Sequence, residues 1–198
     1  NDVWVFEVST KNLVKVIPVG KAPQLVAFSQ DGKRAFVTNS KSEEVWVLDT
    51  TSYEVVARVP AGREVMGCGL TQNSEHLYVT AGGDNVVAVI DTRTYQNVKF
   101  IETGLDVHGL VISPDEKYVY VANRGEDTLS IIDSSTNQVI ESIPVGKKPD
   151  ILAISPDGRY VYVTNRLDDT VSVLDATSRQ VLKVIPVGKE PHGIAVRP

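Results

Sequence analysis

A 42-residue period runs through the whole chain. The segments 17–58, 59–100, 101–142 and 143–184 align with no insertion, a partial copy covers 1–16, and another begins at Ile185 and runs to Pro198. Val-Trp-Val-Phe-Glu at Val3 to Glu7 aligns with Val-Trp-Val-Leu-Asp at Val45 to Asp49, so the N-terminal piece is the end of a copy. A repeat of this length cannot bury its apolar face alone, and each copy must stack on its neighbours. Residues 1–198 therefore read as one domain of stacked units.

Each copy contains four short strand patterns. Pro149 to Ile154 is mostly apolar, and Ser155-Pro156-Asp157-Gly158 supplies a hairpin turn. Tyr160 to Thr164 alternates aromatic and β-branched residues, Val171 to Leu174 follows a polar loop, and Val181 to Val187 closes the copy. Asp49, Asp91, Asp133 and Asp175 recur at the end of the third strand and read as side-chain caps of a tight turn. Pro18, Pro60, Pro144 and Pro186 fall in the fourth strand, which places that strand at a sheet edge. Four strands per repeat, the last outermost, specify an all-β fold, a β-propeller of four-stranded antiparallel blades. The split copy lacks the residues aligned with Asp31 to Ser42, its second strand, while His192 to Val196 supplies its first. The expectation is an arc of a larger ring, seven-bladed with two further repeats.

Composition narrows the function classes. Apolar residues make up 42% of the chain and charged residues 23%, as in soluble globular proteins, and no apolar run is long enough for a membrane span. The net charge of -5 speaks against nucleic acid as a partner. The single cysteine, Cys68, excludes an internal disulfide and a cysteine zinc cage; it aligns with Val26, Leu110, Leu152 and Ile194 and reads as an inert core thiol.

The strings Tyr162-Val163-Thr164-Asn165, Tyr120-Val121-Ala122-Asn123 and Phe36-Val37-Thr38-Asn39 resemble the YVTN β-propeller repeat, as do Ser155-Pro156-Asp157-Gly158 and Ile185-Pro186-Val187-Gly188. The second full copy departs most, with Gln72-Asn73-Ser74-Glu75 at the turn and Ala81-Gly82-Gly83 at the loop. The resemblance implies archaeal surface-layer or bacterial extracytoplasmic propellers, or propellers beside quinone- or haem-dependent oxidoreductases. One propeller fold hosts many functions.

Candidate site residues follow from the repeat position. Gln24, Met66, His108, Asp150 and His192 begin the first strands and should ring one mouth of the central channel. His108, Asp150 and His192 are the candidate metal ligands, with a haem at the same mouth as the other cofactor option. Lys21, Arg63, Lys147 and Lys189 enter the first strands on the same face, and Arg124 and Arg166 lie on the neighbouring loops. They are candidates for a cationic collar, although Glu43, Glu44, Asp84, Glu126, Asp127, Asp168 and Asp169 lie beside them. Trp4 and Trp46 share one repeat position and are candidates for a partner-binding pair. No nucleophile elbow or phosphate loop occurs. The leading expectation is a non-enzymatic, extracytoplasmic scaffold recognising a protein or cell-surface partner through its loop face. The alternative is an accessory propeller of a haem-, quinone- or metal-dependent redox system. A lactonase-like hydrolase ranks last, because none of its site residues maps here.

Overall fold

The computed structural model describes residues 1–197, so Pro198, the last residue of the partial copy 185–198, lies outside the described residues. β1 (Asp2–Phe6) and β2 (Leu13–Pro18) form a two-stranded sheet. Four antiparallel sheets follow. The first blade is β3 (Pro23–Phe28), β4 (Arg34–Asn39), β5 (Glu44–Asp49) and β6 (Val55–Pro60). The second is β7 (Val65–Leu70), β8 (His76–Ala81), β9 (Val86–Asp91) and β10 (Gln96–Glu102). The third is β11 (Val107–Ile112), β12 (Tyr118–Asn123), β13 (Thr128–Asp133) and β14 (Gln138–Pro144). The fourth is β15 (Pro149–Ile154), β16 (Tyr160–Asn165), β17 (Thr170–Asp175) and β18 (Gln180–Pro186). Within each blade the strands pair in sequence order, so the proline-bearing fourth strand is the outer edge, as the proline positions require. Among the described residues, no helix is long and apolar enough to cross a membrane.

The turns are built by short polar side chains. Asp133 Oδ1 accepts the backbone N–H groups of Ser135 and Thr136, at 2.9 and 3.1 Å. Asp49, Asp91 and Asp175 accept from the corresponding pairs. The expected caps are therefore present at all four positions. The divergent second copy keeps its first turn by substitution. Thr71 Oγ1 donates to Asn73 Oδ1 at 2.7 Å, where Ser155 Oγ donates to Asp157 Oδ1 in the fourth blade.

The core lies between blades. Val45, Val47 and Val59 of the first blade pack on Val65, Leu77 and Val79 of the second, and Tyr120, Leu129 and Ile131 of the third pack on Leu152, Val161 and Val163 of the fourth. β1 and β2 contribute Val3, Val5 and Ile17 against Ala35, Val37 and Leu48. The face of the fourth blade that would meet a following unit is uncovered. Tyr162 is partly exposed there, whereas its equivalents Phe36, Tyr78 and Tyr120 are buried.

Two features differ from the sequence expectation. Four full blades and a two-stranded sheet are present, so the seven-bladed ring is not seen as such. His192 to Val196 forms no strand, because the second strand against which it would ladder is missing from its copy.

Candidate functional site at the channel mouth

The first-to-second-strand ladders break at the same place in every blade. Register shifts between Pro23 and Val26, Val65 and Cys68, Val107 and Leu110, and Pro149 and Leu152. The residues in the breaks are Gln24-Leu25, Met66-Gly67, His108-Gly109 and Asp150-Ile151, which include four of the five residues expected to ring the channel; His192 lies outside any strand. Bulges of this kind re-aim side chains and are common beside functional sites.

A threonine on the second strand supports each break. Thr80 Oγ1 accepts the Gly67 N–H at 2.8 Å and donates to the His108 carbonyl of the next blade at 2.5 Å. Thr38 and Thr164 make the equivalent donations to Met66 and His192, at 3.0 and 3.2 Å. The third blade has Ala122 at this position, so the Asp150 carbonyl receives no such bond. Adjacent inner strands also approach closely. A Cβ on Gly67 or Gly109 would collide with the carbonyl of His108 or Asp150, so glycine is required for the contact.

These constraints bring His108, Asp150 and His192 together. Asp150 is fully buried and His108 is 5% exposed. His108 Nδ1 stands 2.8 Å from Asp150 Oδ1, and His192 Nδ1 stands 3.9 Å from Asp150 Oδ2. The two imidazole rings meet edge to face at 6.1 Å, so histidines two blades apart share one narrow mouth. Arg124 Nη1 and Arg166 Nε each lie 3.6 Å from an Asp150 oxygen. Burial pushes the Asp150 carboxyl up, but His108, His192 and Arg124 outweigh it and hold the group below its ordinary value of 3.8. The arginine and His192 contacts are too long for hydrogen bonds, and the His108 contact lacks the angle of one. Both Asp150 oxygens, His108 Nδ1 and Arg166 Nε are buried without a hydrogen-bond partner.

The set does not fit a metal ion. Two of the four groups around Asp150 are guanidiniums, which repel cations and do not ligate them. Among the described residues, no three His, Cys, Asp or Glu side chains are grouped as ligands.

The other candidates lie around this cluster. Arg63 is paired with Asp84 at 2.6 Å, and Arg124 and Arg166 are paired outward with Asp106 and Glu190, at 3.1 and 3.3 Å. Lys21, Lys147 and Lys189 are exposed, and among the described residues no carboxylate pairs with their ammonium groups. Several loop acids instead accept backbone N–H groups: Asp84 from Arg63, Asp168 from Lys147, Asp169 from Glu190. The two tryptophans sit in different sheets, and Trp46 packs against the cluster of Ile17, Val19, Ala35, Val37 and Leu48 between them. The Trp4 ring stands 6.2 Å from Phe6, and Arg58 lies 4.1 Å over Trp46. Sequence reasoning placed Arg124 and Arg166 on the rim but did not join them to Asp150. The available signal was that both directly follow the recurring Asn123 and Asn165. A cavity of about 770 Å³ also opens between the third and fourth blades, lined by Tyr118, Tyr120, Arg159 and Arg179. It lies at the opposite strand ends, and Arg179 there is already paired with Glu141 at 3.0 Å.

A family model described as YNCE-like beta-propeller matches residues 69–197. Among solved structures, the Kuenenia stuttgartiensis hydrazine synthase aligns with a TM-score of 0.80 at 25% identity, covering 87% of this chain and 51% of that one. The dihydro-heme d1 dehydrogenase NirN, in complex with DHE, aligns with a TM-score of 0.81 at 19% identity, covering 96% and 42%. The chain thus spans about half the length of these solved chains or less. No curated protein matches it.

Proposed function

The chain belongs to the YNCE-like β-propeller family, and we propose that it is a non-enzymatic binding propeller whose loop face recognises an acidic protein or cell-surface partner outside the cytoplasm. One observation carries this reading. On the loop face the ammonium groups of Lys21, Lys147 and Lys189 are exposed and unpaired among the described residues, while neighbouring acids are engaged by backbone amides. Exposed lysines steer and hold anionic surfaces through long-range, salt-sensitive attraction. The extracytoplasmic placement rests on the resemblance to surface-layer and extracytoplasmic propellers.

The test is binding of the whole chain to polyglutamate at low and moderate salt. Lys147→Glu combined with Lys189→Glu is expected to weaken it, and so is added salt. Unchanged affinity under both changes overturns the reading.

A second reading keeps the same mouth. Arg124 and Arg166 would meet the carboxylates of a haem or quinone cofactor, making the chain an accessory redox propeller. Visible absorbance in protein purified from its native host supports it, and a colourless preparation counts against it. In either reading the four blades are taken as an arc of a larger, seven-bladed ring, supported by the uncovered apolar face around Tyr162.

A further inference from the structure

We propose that the channel mouth binds a carboxylate group, held by the guanidiniums of Arg124 and Arg166 and the imidazole of His192, with Asp150 as a buried positioning residue beneath them. The inference rests on the partner reading only for the face presented, and it adds the chemistry recognised there.

Asp150 is fully buried, and four cationic or protonatable groups converge on it within 2.8 to 3.9 Å. A carboxylate so placed attracts its neighbours by charge in a medium of reduced dielectric. It completes a hydrogen bond with none of them, so their N–H groups are oriented without being saturated. His108 Nδ1 and Arg166 Nε are sealed from solvent, so an acceptor entering the mouth meets the partly exposed guanidiniums of Arg124 and Arg166 and the His192 ring.

Each arginine is also braced from outside. Arg124 Nε and Nη2 donate to Asp106 at 3.2 and 3.1 Å, and Arg166 Nη2 donates to Glu190 at 3.3 Å. Those bonds fix the Arg124 guanidinium plane, tether Arg166 at one nitrogen, and leave Arg124 Nη1 and Arg166 Nε free of hydrogen bonds among the described residues. The bracing acids are themselves well exposed, so water screens their charge. Asp150, the one buried acid among the described residues, stands against two permanent guanidinium charges. The balance favours an anion, and the forked donors of arginine match a carboxylate. His192 is mostly exposed and marks the open side of the cluster.

Two probes separate the sources of the carboxylate. Succinate stands for a free organic acid, and a short polyglutamate peptide stands for acidic side chains of a partner. Each is titrated into the whole chain by calorimetry, with the His108 and His192 imidazole resonances followed by NMR. We expect saturable shifts of both imidazoles in the parent, and affinity about tenfold weaker or more in Arg124→Gln and Arg166→Gln. Asp150→Asn, which touches no ligand, should weaken binding as well, and Arg166→Lys should restore only part of the affinity lost in Arg166→Gln. Binding of both probes assigns a pocket for free carboxylates; binding of the peptide alone assigns the site to a partner's side chain. The inference is overturned if neither probe moves the imidazoles, a readout that needs no variant. It is equally overturned if the arginine variants bind normally while Lys147→Glu with Lys189→Glu does not, a result that leaves the partner reading standing.

Discussion

Thr80 donates its hydroxyl to the carbonyl of His108 at 2.5 Å, tying the second strand of one blade to the first strand of the next. The same oxygen accepts the Gly67 N–H, so one buried side chain satisfies two backbone groups in two blades. Without it, both groups would be left unpaired in a dry interface.

Thr80→Val is therefore expected to destabilise the chain by about 2 kcal/mol or more, since each buried unsatisfied group costs about 1–3 kcal/mol. Thr80→Ser, which keeps the hydroxyl, should lose much less. Urea unfolding checks this: the midpoint should fall in Thr80→Val with an unchanged slope. Equal midpoints for the valine and serine variants would refute the tether.

Asp150 supplies a pH prediction. Its carboxyl is held below the ordinary value by His108, His192 and Arg124 against the opposing effect of burial. A lowered folded-state value means the charged form stabilises the fold above the unfolded value of about 3.9. That contribution is lost as pH falls through the folded value, so the window lies below about pH 4. Asp150→Asn should melt lower than the parent near neutral pH, and the gap should close in acid. The turn aspartates Asp49, Asp133 and Asp175 are also lowered and titrate in the same range, but they are common to both proteins and cancel in the difference. A gap that widens in acid would show that Asp150 is held in the neutral form.

Cys68 packs against the core between the first two blades, and burial pushes its thiol up to about 12. The thiolate is the reactive form. Iodoacetamide at mildly alkaline pH should leave the folded chain unmodified and label it fully in denaturant, as read by intact mass. Cys68 is partly buried, and rapid labelling of the folded protein would contradict the raised thiol.

The 42-residue period, the turn aspartates and the edge prolines were legible because they are local. Asp133 finds its two amide partners within three residues, and Pro144 blocks pairing on one side whatever surrounds it. His192 to Val196 shows the limit of that logic. Its pattern matches a first strand, but a strand exists only through its ladder partner, and sequence similarity cannot supply one.

Position in the repeat likewise determined that His108, Asp150 and His192 share one strand end, and that Lys21, Lys147 and Lys189 share one face. Only the tertiary structure decided what those residues do to one another. Side chains 42 residues apart meet because successive inner strands pack closely at Gly67 and Gly109, a distance set by interblade packing. The ladder breaks then turn His108 and Asp150 inward, and the same curvature brings Arg124 and Arg166 over a buried carboxylate. A period records which residues are equivalent; which of them interact depends on how the blades tilt and how near the axis they stand.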